Sequence, residues 1–175
     1  DAYDARIGVV GGGFLTIYLS DFVGVQAEAL YVMKGARFTY TEWYDDWYYE
    51  EIDATVSLDY VELPVLLKLR IPSNSGFSPN VFMGGAIGFN TRSEVDVEWG
   101  GYEGSGDLEG ISSTDLGLII GGGIDVAFEP LFITADIRYE IGLLNINDAD
   151  YWEPYDVADE KNHSLMFTMG VGIAM

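Results

Sequence analysis

The stretch Leu58–Ile71 alternates apolar and polar side chains, and it constrains the fold of this chain more than any other segment. Its odd-numbered positions from 61 to 71 are all apolar, whereas the positions between them include Glu62, Lys68 and Arg70. Because a β-strand directs successive side chains to opposite faces, this stretch predicts one strand with an apolar face and a charged face. Most other strand-like segments also carry charges on their second face. We therefore expect the apolar face to contact lipid and the charged face to line a closed transmembrane barrel.

Length and composition narrow the class of protein further. The 175 residues suit one domain, which we place at residues 1–175. Apolar residues make up 49% of the chain but are spread in alternation, and no run approaches the ~18 apolar residues of a transmembrane helix. The formal net charge of −21 argues against a nucleic-acid partner, because a phosphate backbone requires a basic surface. No cysteine is present, which excludes disulfides and thiolate metal sites.

Seven strand-like segments follow one another as successive hairpins. They are Arg6–Leu19, Phe22–Tyr40, Thr55–Ile71, Pro79–Arg92, Thr114–Phe128, Leu131–Asn145 and His163–Met175. Short turns at residues 20–21, 72–78 and 129–130 alternate with long loops at residues 41–54, 93–113 and 146–162. Because outer-membrane barrels have short periplasmic turns and longer extracellular loops, this asymmetry predicts an antiparallel up-and-down transmembrane β-barrel.

The number of strands has a consequence for closure. In a meander of seven, the first and last strands run in the same direction, and two such strands cannot close an antiparallel barrel. We therefore expect eight strands, of which seven are readable, and predict that the first strand is missing from this sequence or is supplied by another chain. The alternative is that one long segment is misassigned, because Phe22–Tyr40 has 19 residues and could bend or split.

Four aromatic residues bear on the membrane assignment through their height. Tyr31, Phe89, Tyr139 and Phe167 all fall in the lipid-facing phase, eight to ten residues from the periplasmic ends of their strands. At ~3.3 Å per residue along a tilted strand, they should lie near the top of an apolar band of ~25 Å, where an aromatic girdle is found. Aromatic pairs in a soluble sandwich would not share one height.

The predicted interior carries a nearly balanced set of charges. The inward phases contain five cations and six anions, which are Glu28, Lys34, Glu62, Lys68, Arg70, Arg92, Asp115, Asp125, Asp136, Arg138 and Glu140. An eight-stranded barrel is just wide enough for its side chains to fill it, so these charges must pair. We expect Arg138 at mid-height among the glutamates and Arg92 near Asp115. The interior is then a packed polar core, and an ion path is the alternative.

Several segments together resemble a known family. They read VQAEALYVMKGARF, LDYVELPVLLKLRIP, VFMGGAIGFN, DLGLIIGGGIDV and ITADIRYEIGLLNI. The chain from Val10 to Met175 resembles the outer-membrane β-barrel domain family, which includes OmpX/OmpA-like eight-stranded barrels and PorT-like proteins. The resemblance implies an eight-stranded barrel in the outer membrane of a Gram-negative bacterium, and it implies no common activity. The chain departs from the pattern at Met175, where many outer-membrane barrels end in Phe.

The three long loops concentrate acidic and aromatic side chains. They carry eighteen carboxylates and one cation, Lys161. Because Trp and Tyr dominate interface hot spots, the contact candidates are Trp43, Trp47, Tyr48, Trp99, Tyr102 and Trp152. An anionic, aromatic rim suits a cationic protein or peptide, a divalent ion or a glycan. The alternative is a solvated surface that provides only colloidal stability.

The last loop also contains candidates for a Ca²⁺ site. They are Asp148, Asp150, Asp156 and Asp159, since hard cations take carboxylate oxygens. Their spacing does not match an EF-hand loop, which has a fixed Gly and a closing Glu. Apart from this ion, no cofactor is expected.

These patterns favour a non-catalytic barrel. Its expected partners are outer-membrane lipid and an extracellular or envelope protein held by the acidic loops. One alternative is a soluble lipocalin-like ligand-binding barrel, which would need an apolar interior. The other is an outer-membrane enzyme that uses His163, the single histidine, with Asp115 or Glu140 as its partner.

Overall fold

The computed structural model describes residues 2–5, 7–45, 48–71, 76–128, 130–146 and 161–173, with side chains in 7–39, 52–71, 76–128, 130–146 and 161–173. Within these ranges there are nine strands. They are β1 Ala2–Ala5, β2 Val10–Tyr18, β3 Val23–Asp45, β4 Tyr48–Arg70, β5 Phe77–Trp99, β6 Tyr102–Asp107, β7 Thr114–Phe128, β8 Leu131–Gly142 and β9 His163–Ile173. In the same ranges, no helix is long and apolar enough to span a membrane.

All nine strands belong to one antiparallel sheet that curls into a half-barrel. Both β1 and β2 pair with β3, against residues 36–39 and 24–32, so together they form one edge. Similarly, β6 pairs with residues 94–99 of β5 and β7 with residues 77–89, so they share one position. The order across the sheet is therefore β1/β2, β3, β4, β5, β6/β7, β8, β9. This arrangement confirms the antiparallel barrel-type fold and the seven strand positions.

The two edges of the sheet, β2 and β9, run in the same direction and do not pair with each other in the described part of the chain. They nevertheless lie close together across a cleft of about 460 Å³. Phe14 of β2 packs edge-to-face on Phe132, with ring centroids 6.0 Å apart, and lies next to Gly170 of β9. The expected eighth strand is not among the described residues and stays a prediction.

Burial alternates along the strands in the phase that the sequence predicts. On β4, Glu62 is 1% exposed, whereas its neighbour Leu63 is 42% exposed. The same alternation holds on β8, where Arg138 is buried between the exposed side chains of Ile137 and Tyr139. The enclosed face is therefore charged and the outer face is apolar. A lipocalin-like barrel needs the opposite arrangement, so the structure does not support that alternative.

Three strands extend well beyond the length needed to cross a bilayer. β3, β4 and β5 have 23 residues each, about twice the ~9–11 residues that a membrane-spanning strand requires. We call their outer parts, residues 36–45, 48–57 and 93–99, together with β1 and β6, the extracellular sheet. It lies on the side opposite to the short turns, which is the external side in outer-membrane barrels.

The extracellular sheet corrects two predicted loops. The sequence predicts loops at residues 41–54 and 93–113, but most of these residues continue the β3–β4 and β5–β6 hairpins. In β5, for example, Val95 and Val97 still alternate with Glu94, Asp96 and Glu98. The two-residue period persists there, and the acidic composition concealed it.

Candidate functional site

Arg138 is the centre of an ion-pair cluster inside the barrel. Its guanidinium donates to both carboxylate oxygens of Glu28, with Nη1 to Oε2 at 2.6 Å and Nη2 to Oε1 at 3.3 Å. It also lies 2.9 Å from Asp136, which accepts a further hydrogen bond from Thr168. All of these groups come from β3, β8 and β9, so the cluster ties together strands that flank the open seam.

Two of the three glutamates that we predicted as partners of Arg138 pair with Lys34 instead. Lys34 lies 2.6 Å from Glu62 and 3.0 Å from Glu140, and all three side chains are buried. Only Glu28 of the three predicted glutamates contacts Arg138. The reason is the register and stagger of the strands. Leu30 lies directly opposite Glu62, so Lys34, four residues further along β3, reaches Glu62 diagonally and Glu140 across the interior. Stagger is a property of the sheet that alternation within one strand does not encode.

The lower interior is closed by a second set of pairs. Lys68 donates to Asp125 at 2.9 Å, and Tyr18 donates to the other oxygen of the same carboxylate at 3.3 Å. Arg70 stacks over the Tyr18 ring at 3.7 Å and donates to the backbone oxygen of Asp21 in the periplasmic turn. These contacts hold the first hairpin against β4 and β7 at the periplasmic end.

Arg92 does not join the interior charges, contrary to the prediction. Its side chain is half exposed and pairs with Glu94 on the outer face, with Asp59 at 3.9 Å. A bulge causes this change, because β5 pairs Arg92 with Asp59 but Asn90 with Tyr60 and so leaves Thr91 without an opposite residue. One extra residue reverses the two faces of the strand above it.

Asp115 is buried as predicted but has a partner that the sequence did not indicate. It accepts a hydrogen bond from the amide of Asn162 at 2.9 Å, and that amide also donates to the Tyr60 hydroxyl at 3.2 Å. Asn162 precedes β9 directly, in a segment predicted as loop. A buried polar residue at a strand end carries no periodic signal, so this role was visible only in the fold.

All four predicted girdle residues lie on the exposed outer face. They are Tyr31, Phe89, Tyr139 and Phe167. Tyr31 and Phe89 pair with the two sides of Val61, so they share one row across β3, β4 and β5. The Tyr31 hydroxyl donates to Asp59 at 2.8 Å, which turns its polar end toward the extracellular sheet. A common height for all four residues stays a prediction.

The extracellular sheet has one acidic face, built from rows of directly opposed residues. Glu98 pairs with Asp53 on one side and with Glu103 on the other, which makes a row of three carboxylates. Glu94 lies opposite Asp107 in the same way. The other face of these strands carries small and apolar residues, among them the cross-strand pairs Ala54–Val97 and Val95–Gly106, and it ends in the pair Trp99–Tyr102.

Two of these carboxylates, Asp53 and Glu94, have an arginine partner. The Thr39 hydroxyl donates to Asp53 at 2.6 Å and holds the pKa of that carboxyl below its usual value, with Arg37 at 3.2 Å acting in the same direction. Arg92 likewise lowers the pKa of Glu94 through a hydrogen bond. Within the described ranges, no cation lies within ion-pair distance of the four remaining carboxylates, Asp96, Glu98, Glu103 and Asp107.

The tip of the β5–β6 hairpin combines this acidity with two aromatic rings. Trp99 and Tyr102 flank the turn Gly100–Gly101, and their ring centroids are 5.9 Å apart. A shallow cleft of about 260 Å³ lies beside them, lined by these residues and by Asp53, Glu98 and Glu103. Both glycines have positive φ, as a tight two-residue hairpin turn requires.

Comparison with known families identifies the chain. The family model of the outer membrane protein beta-barrel domain matches residues 1–148. This protein belongs to the outer-membrane β-barrel family. Neither curated proteins nor solved structures gave a match. Membership, the apolar outer face and the charged interior together make it an outer-membrane protein.

The structure separates His163 of this outer-membrane barrel from its predicted partners. His163 begins β9 on the outer face and stacks on Tyr139, with ring centroids 6.3 Å apart and planes nearly parallel at 6°. Asp115 and Glu140 point into the buried interior instead. The structure therefore does not bring His163 together with either of the two carboxylates predicted as its partners.

The remaining loop predictions lie largely outside the described residues. This applies to the Ca²⁺ candidates Asp148, Asp150, Asp156 and Asp159, to Trp47 and Trp152, and to the side chains of Trp43 and Tyr48. In the part of the barrel that the structure does describe, no group of three or more His, Cys, Asp or Glu residues is arranged to hold a metal ion.

Proposed function

We propose that this protein is a non-catalytic outer-membrane barrel whose interior is closed by ion pairs and whose extracellular sheet binds a cationic protein. The observation that carries the proposal is the acidic face of that sheet, on which four carboxylates have no cation partner among the described residues. The exposed rings of Trp99 and Tyr102 lie at the tip of the same hairpin, at the positions that alternate with Glu98 and Glu103. A binding surface and a closed interior together describe a barrel that holds a partner and does not conduct ions.

The closed interior is supported by the pairing of its charges. Each of the buried cations Lys34, Lys68 and Arg138 lies within 3.0 Å of at least one carboxylate. An unpaired charge removed from water is very unfavourable, so these pairs have little tendency to separate and open a path. The purified barrel in a planar bilayer should accordingly show no steady single-channel conductance, and a stable open level would contradict this part of the proposal.

The binding surface is supported by charge and composition. Trp99 and Tyr102 are both exposed at the tip of the β5–β6 hairpin, and Tyr and Trp are enriched among the residues that contribute most to binding. The neighbouring carboxylates would attract a basic partner and set its orientation, since complementary charge speeds association and excludes acidic competitors. A merely solvated, repulsive surface has no need of exposed aromatic rings at the tip of a hairpin.

A direct test uses a lysine-rich polypeptide as the probe and the detergent-solubilised barrel as the receptor. Affinity should be measured by interferometry at low and at moderate salt. We expect binding that weakens as salt rises, because exposed charges are screened beyond ~10 Å at 0.1 M salt. Glu98→Gln should weaken binding, and Asp21→Asn, which removes one exposed carboxylate from the periplasmic turn, should not.

The outcomes separate the kinds of partner. Equal binding by both variants would show that net charge alone attracts the probe, and the proposal of a specific surface would fail. Heat released on titration with Ca²⁺, with no binding of the polypeptide, would favour an ion instead. No response to either probe would leave the extracellular sheet as a solvated surface and refute the binding role.

A further inference from the structure

Strand β6 is an edge strand of the extracellular sheet in the part of the chain that the structure describes. It pairs with β5 on one side, and all six of its residues are exposed. In the described part of the chain, no strand pairs with its other side, because β7 begins at Thr114 and pairs with a lower part of β5. An unpaired row of N–H and C=O groups on an exposed edge is a template for another strand.

The hairpin turn determines which backbone groups are free. In a two-residue hairpin the flanking residues, here Trp99 and Tyr102, form a hydrogen-bonded pair, and the pairs then alternate between bonded and non-bonded. Gly104 and Gly106 therefore use their backbone groups toward β5. The N–H and C=O groups of Glu103, Ser105 and Asp107 point outward, away from the sheet.

The same alternation brings like charges close together. Glu98–Glu103 and Glu94–Asp107 fall at non-hydrogen-bonded positions, where opposed side chains are closest. Like charges directly opposite each other destabilise a sheet. Of these four carboxylates, Glu94 has Arg92 as a partner, and the described residues provide no cation for the other three. The edge that is open for pairing is thus also the edge that lacks positive charge.

We propose that the cationic partner docks by adding an extended strand antiparallel to β6, with Lys or Arg at alternate positions. This inference rests on the proposed binding function and specifies its mode. The basic side chains would lie on the acidic face, next to Glu103 and Asp107. The side chains between them would lie beside Gly104 and Gly106, where a Cβ would meet no atom within 4 Å, so the sheet leaves room for them.

The acidic edge also excludes the commonest competitor, a second copy of this chain. Two β6 edges brought together antiparallel would oppose Glu103 and Asp107 of each copy. Charged edge strands are a known means of preventing such self-association. The pattern therefore selects a partner of opposite charge.

The test compares two octapeptides of equal composition. In one, Lys and Thr alternate; in the other, four Lys precede four Thr. The alternating peptide should bind the barrel at least about tenfold more tightly, because it alone can place its charges on one face while its backbone pairs with β6.

Two variants of Ser105 provide the control. Ser105→Pro removes an outward N–H at an edge position where proline is tolerated. This variant should bind the alternating peptide about tenfold more weakly, and its affinity for the peptide with four Lys before four Thr should be unchanged. Ser105→Ala retains the N–H and should bind as the natural chain does. Amide exchange gives an independent readout, because the peptide should slow exchange at Glu103, Ser105 and Asp107.

Failure of this inference is distinguishable from failure of the proposed function. Equal affinity of the two peptides, or no effect of Ser105→Pro, would overturn strand addition while salt-dependent binding to the acidic face remained. If neither peptide nor the lysine-rich polypeptide bound, the binding function itself would be refuted.

Discussion

Replacing Arg138 by Ala should lower the free energy of unfolding by about 3–5 kcal/mol, the usual effect of removing one partner from a buried ion pair. The Arg138 side chain is 3% exposed, and its loss would leave Glu28 and Asp136 buried without a cation. Each carboxylate keeps a neutral donor, Gln26 at 2.5 Å for Glu28 and Thr168 at 2.7 Å for Asp136. These hydrogen bonds offset part of the loss, so we expect about 3 kcal/mol, near the lower end of the range.

Equilibrium unfolding of the refolded barrel in guanidinium would measure this loss, with heat-modifiable electrophoretic mobility to distinguish folded from unfolded chains. Arg37→Ala is the matched control, because Arg37 pairs with Asp53 at 3.2 Å but its side chain is 51% exposed. An exposed pair contributes only about 0.2–1 kcal/mol. Adding Glu28→Gln to Arg138→Ala should restore part of the stability, since one buried charge is then removed.

The reasoning would be refuted in either of two ways. Arg138→Ala and Arg37→Ala could shift the unfolding midpoint equally, which would mean that burial does not set the strength of the pair. Arg138→Ala could also open a conducting path without loss of stability, which would mean that the interior is a gated channel instead of a packed ionic core.

Four further substitutions test the membrane face, the glycines and the extracellular sheet. Leu67→Arg should lower stability in lipid vesicles by about 2–4 kcal/mol, because Leu67 is exposed on the apolar face near the middle of the row from Val61 to Ile71; an unchanged unfolding midpoint would argue for a water-exposed surface. Gly84→Ala should lower stability by about 1–3 kcal/mol, since its Cβ would overlap a backbone carbonyl of β4. Gly13→Ala meets open space and should be neutral, and equal effects would contradict the packing. Thr39→Val should raise the pKa of Asp53 toward its ordinary value in an NMR titration. Because the folded-state pKa of Asp53 is lowered, its contribution is present above the unfolded-state pKa and is lost as pH falls through the folded-state value. The variant should therefore lose less stability on acidification, and an unshifted titration would exclude the Thr39 hydroxyl as the cause.

The outer-face and inner-face assignments were predictable because they depend on a local period. A strand alternates its side chains every two residues, so Glu62 and Leu63 must point in opposite directions wherever the strand lies. The bulge at Thr91 shows the limit of this rule. Thr91 has no residue opposite it on β4, and this one extra residue exchanges the inward and outward positions beyond it. Nothing in the sequence of β5 marks the bulge, so Arg92 was assigned to the wrong face.

The hairpin of β5 and β6 could have been found from the sequence. Gly100–Gly101 lies between Trp99 and Tyr102, and paired glycines between alternating segments are a hairpin signal. The density of acidic residues favoured a loop interpretation instead, because loops are commonly polar. Here the acidic residues occupy one face of a strand, and composition alone cannot show that.

The sequence by itself determined the class of this protein: an antiparallel transmembrane barrel with a lipid-facing apolar side, an enclosed charged side and an acidic external end. Each of these properties follows from alternation within a single strand or from the amount of charge between strands. Only the tertiary structure decided the partners, such as Arg138 with Glu28, Lys34 with Glu62 and Glu140, and the free edge of β6. Those depend on the stagger between strands, which is fixed when the whole sheet curls and not by any one segment.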